Sequence, residues 1–171
     1  TGQFISHARP GELLSIEVEM LAEGRATTQA RARGHVDGRD VIAVVATLGR
    51  REVDRSGVWV TPPAAPPPLD CPPFPSRSAT RSVSANLERR LVRGRTEDHE
   101  PAMDDGRVAM WVRVPEHLLV DPAFLAVLGD YVPWGGRDAV GGGLAGGQSL
   151  DNTLRVVDPV DTEWILVDVR I

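Results

Sequence analysis

The sequence predicts an α+β fold built from two related antiparallel β modules, and three observations carry that prediction. Apolar and polar residues alternate along several stretches, a proline-rich block divides the chain, and one strand-entry pattern occurs on both sides of the block. With 171 residues, 42% of them hydrophobic, the chain can bury a real core as one ordinary domain or two small ones.

In chain order, residues 3–5 already read as a strand. From Leu14 the set Leu14, Ile16, Val18, Met20 alternates with Ser15, Glu17, Glu19, which predicts a strand with one dry and one wet face. Residues 26–36 repeat the pattern with small residues inward and Gln29, Arg31, Arg33 outward. Asp37-Gly38 then supplies a tight-turn pair into the apolar run from Val41 to Leu48, giving a three-strand meander.

After Val60 the prolines at 62, 63, 66, 67, 68, 72, 73 and 75 cannot donate ladder hydrogen bonds and favour an extended form. They predict a spacer; a ligand for a proline-recognising domain is the other reading. Val83, Ala85, Leu87 and Leu91 lie at even spacings, as do Val108, Met110, Val112 and Val114, predicting two more strands. Asp121-Pro122 is a helix opening, an N-cap carboxylate followed by proline at the first helical position. Phe124, Leu125, Leu128 and Tyr131 continue it until Pro133 and the glycines stop it. Strands resume over residues 149–157 and 163–171 across Asp158-Pro159-Val160-Asp161.

The stretch from Pro10 (Pro-Gly-Glu-Leu-Leu-Ser-Ile-Glu-Val) has the same strand-entry form as the stretch from Pro159 (Pro-Val-Asp-Thr-Glu-Trp-Ile-Leu-Val), so one repeat unit occurs twice. Residues 1–60 are expected to form the C-terminal part of the first repeat, 61–80 a proline-rich linker, and 81–171 the N-terminal part of the second. On this reading the sequence opens inside one repeat and closes inside the other.

Several function classes drop out. A net charge of −5 gives no basic excess with which to displace counterions from nucleic-acid phosphates. All 19 basic residues are arginine, which removes Schiff-base chemistry and the P-loop lysine. Cys71 stands alone, so there is no internal disulfide and no multi-cysteine zinc site, and His7, His35, His99 and His117 lack metal-ligand spacing. No apolar run reaches the roughly 20 residues of a membrane span and no secretory signal opens the sequence, so a cytoplasmic location is expected.

The segments from Thr1 to Glu12 and from Ser149 (Ser-Leu-Asp-Asn-Thr-Leu-Arg), with Asp158-Pro159 and the Trp164 strand following, resemble the acyl-CoA thioesterase II family, nearest its actinobacterial members. The resemblance extends to Leu128-Gly-Asp-Tyr-Val-Pro133 and is weakest through the linker and residues 96–105. It implies a tandem (double) hot-dog fold, antiparallel sheets wrapped around helices, and hydrolysis of fatty acyl-CoA to free fatty acid and CoA without a cofactor. It also implies association into a homo-oligomer. Asp151 falls on the aspartate with which the family activates water; the family's threonine or serine and its glutamine would lie beyond Ile171.

The residues around Asp151 suit that chemistry. A thioester needs an attacking water, a base for it and donors for the oxyanion, while a thiol of pKa about 8.5 leaves without a dedicated acid. Gln148, Ser149, Asn152 and Thr153 are neutral neighbours, and strand alternation puts Thr153 on the face of Asp151. Asp151 alone reads first as a turn residue opening a strand; the resemblance reverses that order and implies a buried base beside an apolar tunnel. The glycine-rich stretch that starts with Gly135 and Gly136 is expected to be a mobile loop at the pocket mouth, with Gly135, Gly136 and Gln148 binding substrate. Arg89, Arg90, Arg93 and Arg95 can meet coenzyme A phosphates or guard a strand edge. Phe124, Leu125, Leu128, Tyr131 and Trp134 can line an acyl tunnel or form plain core. A non-catalytic hot-dog protein that binds acyl chains or serves assembly is the alternative function; a dehydratase is weaker, because only His117 lies near the helix.

Overall fold

The computed structural model describes residues 1–49, 57, 59–75, 83–95, 105–114, 120–140, 149–157 and 161–171, without the side chains of 138–140. The expectations for Gln148, His99, His117 and the later glycines fall outside the described residues. The chain divides into two compact units, Thr1–Thr61 with Ser149–Leu154, and Pro62–Gln148 with Arg155–Ile171.

The first unit is one antiparallel sheet. Strands β1 (Gly2–Phe4), β2 (Ser15–Glu23), β3 (Thr27–Val36), β4 (Arg39–Gly49) and β7 (Asp151–Asn152) are arranged in the order β2-β3-β4-β1-β7. The meander read from alternation is present, and its hairpin turn is the one that Asp-Gly favours. Asp37 at φ 47° and Gly38 at φ 79° both take left-handed angles, as a two-residue primed turn between the paired Val36 and Arg39 requires. The register puts Ile16, Val18 and Met20 opposite Gly34, Ala32 and Ala30, so the apolar side chains of β2 share a face with the small ones of β3. At Gly34 a Cβ would meet Ile42 Cγ2 at 2.7 Å, which explains the glycine. Contrary to the expected dry face, Ile16, Val18 and Met20 are all exposed: β2 is an edge strand, paired only with β3, and no described element of this unit covers that face. The other face is polar, with Arg31 bonded to its cross-strand neighbour Glu19 and Arg33 to Asp40.

In the second unit β5 (Glu88–Arg93), β6 (Arg107–Arg113) and β8 (Ile165–Arg170) form a sheet in the order β5-β6-β8. Central β6 is the most buried strand, with Val108, Met110 and Val112 fully enclosed. Helices α1 (Pro122–Gly129) and α2 (Val132–Val140) accompany the sheet. Asp121 caps α1 by accepting from the Phe124 amide at 2.7 Å, with Pro122 at the helix start, as its sequence demands. Phe124, Leu128, Tyr131 and Trp134 pack with Met110, Val112 and Phe74, so these residues are core of the second unit. Among the described residues no helix is long and apolar enough to cross a membrane.

Four local expectations change. Pro133 does not end the helical region: it sits in the first turn of α2, where its missing N–H has no intrahelical partner to lose. Consequently Gly135 and Gly136 are helical rather than part of a loop. Residues 83–86 form a 3-10 turn, and the strand begins only at Glu88. Of 149–157 only Asp151–Asn152 pairs as strand. Residues 62–75, expected as spacer, dock on the second unit: Phe74 N–H donates to Arg89 O at 2.8 Å, Leu91 N–H donates to Pro72 O at 2.9 Å, and the Trp111 indole donates to Pro66 O at 2.9 Å. Prolines suit this segment, which meets β5 through the isolated Pro73–Arg90 bridge, because no ladder hydrogen bond is asked of their nitrogens.

Candidate active site

Asp151 is held at the sheet position where β7 meets β1, with Gln3 opposite Asp151 and Gly2 opposite Asn152. The Phe4 amide donates to Leu150 O at 2.9 Å, so even-numbered β1 residues carry the hydrogen bonds to β7. Odd-numbered ones bond to β4 instead: Ile5 N–H donates to Val41 O at 2.8 Å and Val45 N–H to Thr1 O at 2.9 Å. Gln3 and Asp151 are therefore a non-hydrogen-bonded antiparallel pair, the kind with Cα atoms about 4.5 Å apart and the closer side chains.

Two residues further along the same face, Thr1 Oγ and Thr153 Oγ lie 3.0 Å apart and hydrogen-bond. Thr153 thus stands on the face of Asp151, as alternation predicts, and its hydroxyl is tied to β1. Among the described residues neither Asp151 nor Gln3 has a side-chain hydrogen bond or ion pair. Both are exposed.

The register also defines the surroundings. Gln3 faces Ala43, which faces Arg33, which faces Glu17, so Asp151 stands at the end of a row on the polar face of the first unit. The expected buried carboxylate beside an apolar tunnel is not what this unit presents. The physical reason is alternation itself: Gly2, Phe4, Leu150 and Asn152 take the opposite face, and β7 has only one neighbouring strand.

The other expected site residues are elsewhere. Gly135 is packed where α2 crosses the sheet: a Cβ would lie 2.4 Å from Val169 Cγ1 and 3.3 Å from Val108 Cγ2, so helix–sheet contact accounts for this glycine. Gly136 faces open space, with nothing within 4 Å of its Cβ position. Arg90 and Arg113 both bond to Glu88, Arg93 bonds to Asp105 at 2.8 Å, and Arg89 lies 5.3 Å over the Phe74 ring. The two arginines hold the Glu88 carboxyl below its ordinary range, Arg113 most strongly. Among the described residues no group of three or more histidine, cysteine or acidic side chains is gathered as a metal site. Gln3 and Thr1 are what sequence reasoning missed. The strand-like start at residues 3–5 was the one signal that pointed toward them.

Residues 63–171 match the family model of the acyl-CoA thioesterase C-terminal domain. The chain belongs to that family. A provisionally named thioesterase from Novosphingobium aromaticivorans is similar over 98% of this acyl-CoA thioesterase family chain and 64% of its own, with 32% identity and a TM-score of 0.78. A hot-dog protein of unknown function from Alicyclobacillus acidocaldarius is similar over 74% of this chain and 46% of its own, with 25% identity and a TM-score of 0.60. Acyl-CoA thioesterase II TesB2 from Mycobacterium marinum, at 22% identity and a TM-score of 0.53, covers the same shares and shares the fold. The family member thus spans about 64% of the Novosphingobium protein. No curated protein matches it. Its fold is the hot-dog in the α+β class, built of antiparallel sheets with helices.

Proposed function

We propose that this family member is an acyl-CoA thioesterase that hydrolyses fatty acyl-CoA to free fatty acid and CoA, with Asp151 as the base. What supports the reading is the Asp151 carboxylate at the β1–β7 junction, which has no side-chain partner among the described residues; its role as the water-activating aspartate is what the sequence resemblance implies. Asp151 takes a proton as the water oxygen bonds to the thioester carbonyl carbon. When the tetrahedral intermediate collapses, the C–S bond breaks and the proton passes to the departing thiolate, which at pKa about 8.5 needs little assistance. Thr153, anchored to Thr1, supports the end of the Asp151 strand.

The domain reading accompanies it: residues 1–60 close a first hot-dog repeat, 61–80 connect, and 81–171 open a second. The strand order β2-β3-β4-β1 supports the first part of that division, whereas the family match from residue 63 and the hydrogen bonds of Pro72 and Phe74 to β5 group residues 63–75 with the second unit. A cytoplasmic homo-oligomer is the expected setting.

The exposure of Asp151 on a polar face favours the second reading, a hot-dog protein that binds acyl chains or serves assembly without catalysis. Thiol release from medium- and long-chain acyl-CoA by wild type and Asp151→Asn separates the two. Loss of about 100- to 10,000-fold in kcat is expected for the variant. Equal rates remove Asp151 from the mechanism, and acyl-CoA binding without turnover by the wild type establishes the second reading.

A further inference from the structure

We propose that the second unit carries a binding site for the carboxylate headgroup of a fatty acid, formed by Arg89 on β5, Tyr131 at the α1–α2 junction and Trp134 in α2. The site lies within that one unit, and it neither needs nor supports the reading of Asp151 as a base.

The strand register puts an arginine where the sheet is otherwise dry. Arg89 is the Cα partner of Val112, and Leu91 that of Met110. Val112 and Met110 are fully enclosed and Leu91 is buried. Residues directly opposite one another share a face, so Arg89 leaves the sheet on the side of the Met110, Val112 and Leu128 core. Tyr131 and Trp134 pack on that same core. Phe74 links the group: Arg89 Cζ lies 5.3 Å from the centre of its ring, and that centre lies 5.9 Å from the centre of the Trp134 ring.

Arg89 Nε and Nη2, the Tyr131 hydroxyl and Trp134 Nε1 are all buried, and none of them has a hydrogen-bond partner. Guanidinium and indole N–H groups only donate, and the phenol is free to donate as well. Other arginines of this unit hold carboxylates: Arg90 and Arg113 hold Glu88, Arg93 holds Asp105 and Arg107 holds Asp168. Arg89 has no such partner among the described residues, and the Phe74 ring face compensates its charge only in part. Buried donors left unpaired are uncommon and costly, so the set matches a group rich in acceptor lone pairs, and the positive charge selects an anion. Nε and Nη2 form one fork of the guanidinium, whose parallel N–H bonds fit the two oxygens of a carboxylate. The surroundings select the rest of the ligand. Phe74, Leu87 and Phe124 pack on the same core, so an inorganic anion would lose hydration there with nothing in return, whereas a fatty acid lays its alkyl chain against them. Arg89, Tyr131 and Trp134 are each half-buried as residues, so the group reaches the surface of the unit while its polar atoms lie inside.

The test is calorimetric titration of the intact protein with dodecanoate, dodecanol and acetate, for the wild type and for Arg89→Lys, Arg89→Gln and Tyr131→Phe, alongside thermal unfolding without ligand. Saturable binding of dodecanoate is expected, about tenfold or more tighter than that of dodecanol or acetate. Arg89→Lys keeps the charge and loses the fork, which should weaken dodecanoate about tenfold; Arg89→Gln should weaken it about 100-fold. Tyr131→Phe removes one donor, for a loss of about tenfold, while the unfolding midpoint stays or rises because an unpaired buried hydroxyl has gone. In the same titration the Trp134 indole N–H resonance, assigned through Trp134→Phe, should move; this readout and Tyr131→Phe carry the test even if the Arg89 variants do not fold. Dodecanol binding as tightly as dodecanoate would make the site a plain apolar surface, and acetate binding as tightly would remove the alkyl chain from it; either result overturns the proposal. So does dodecanoate that binds Tyr131→Phe as tightly as wild type and leaves the Trp134 resonance unmoved, which would show that these donors hold water alone.

Discussion

Adjacent glycines in α2 are expected to respond with opposite sign to the same substitution. In Gly135→Ala the new methyl carbon falls 2.4 Å from Val169 Cγ1 and 3.0 Å from Val169 Cβ. Valine has little χ1 freedom, so it cannot swing aside. Val108, at 3.3 Å, is itself fully buried and blocks retreat on the other side. Overpacking of a close core costs about 1–3 kcal/mol, and this geometry belongs at the upper end. Replacing a helical glycine by alanine returns about 1 kcal/mol, so a net loss of about 2 kcal/mol is expected. Gly136→Ala has the same helical gain and no heavy atom within 4 Å, so it should stabilise by about 1 kcal/mol. Urea unfolding of the two variants and the wild type measures both. Gly135→Ala equal to or more stable than wild type would refute the packing argument. Retained stability with a raised KM for acyl-CoA would return Gly135 to the substrate site.

Met110 is fully buried at the centre of the second unit, and Met110→Ala should cost about 2–5 kcal/mol in the same unfolding assay. Glu88, depressed by Arg113 and Arg90, contributes stability above its unfolded pKa that is lost as pH falls through the lower folded value. Glu88→Gln should therefore cost about 1 kcal/mol or less at neutral pH and nothing in strong acid, as urea midpoints across the acid range will show. Burial pushes the Cys71 thiol up, and the side chain is enclosed, so iodoacetamide should label it only after denaturation; rapid labelling of the native protein would contradict the docking of residues 62–75.

What the sequence made legible was mostly local. The meander β2 to β4 followed from alternation, the turn from Asp37-Gly38, and the opening of α1 from Asp121-Pro122, because in each case neighbouring residues determine the conformation. The proline at 133 and the glycines behind it misled for the opposite reason. Their meaning depends on long-range packing: Pro133 is harmless in a first turn, and Gly135 is required by Val169, 34 positions away from 135 to 169. The proline block likewise docks beside β5 through the isolated Pro73–Arg90 bridge, a role visible only with β5 in place. At the candidate site, Asp151 and the face of Thr153 could be read from the sequence, whereas the pairing with Gln3 depends on a strand register that no local pattern encodes. The polar surroundings of Asp151 follow from that same register, through Ala43 to Arg33.

Hydrolysis of acyl-CoA in heavy-oxygen water under single-turnover conditions tests the central claim most directly. If Asp151 activates water, the fatty acid released in the first turnover carries the label and the protein mass is unchanged. Label appearing in the Asp151 carboxylate, with unlabelled fatty acid, would show that the side chain itself attacks the thioester and would contradict the account.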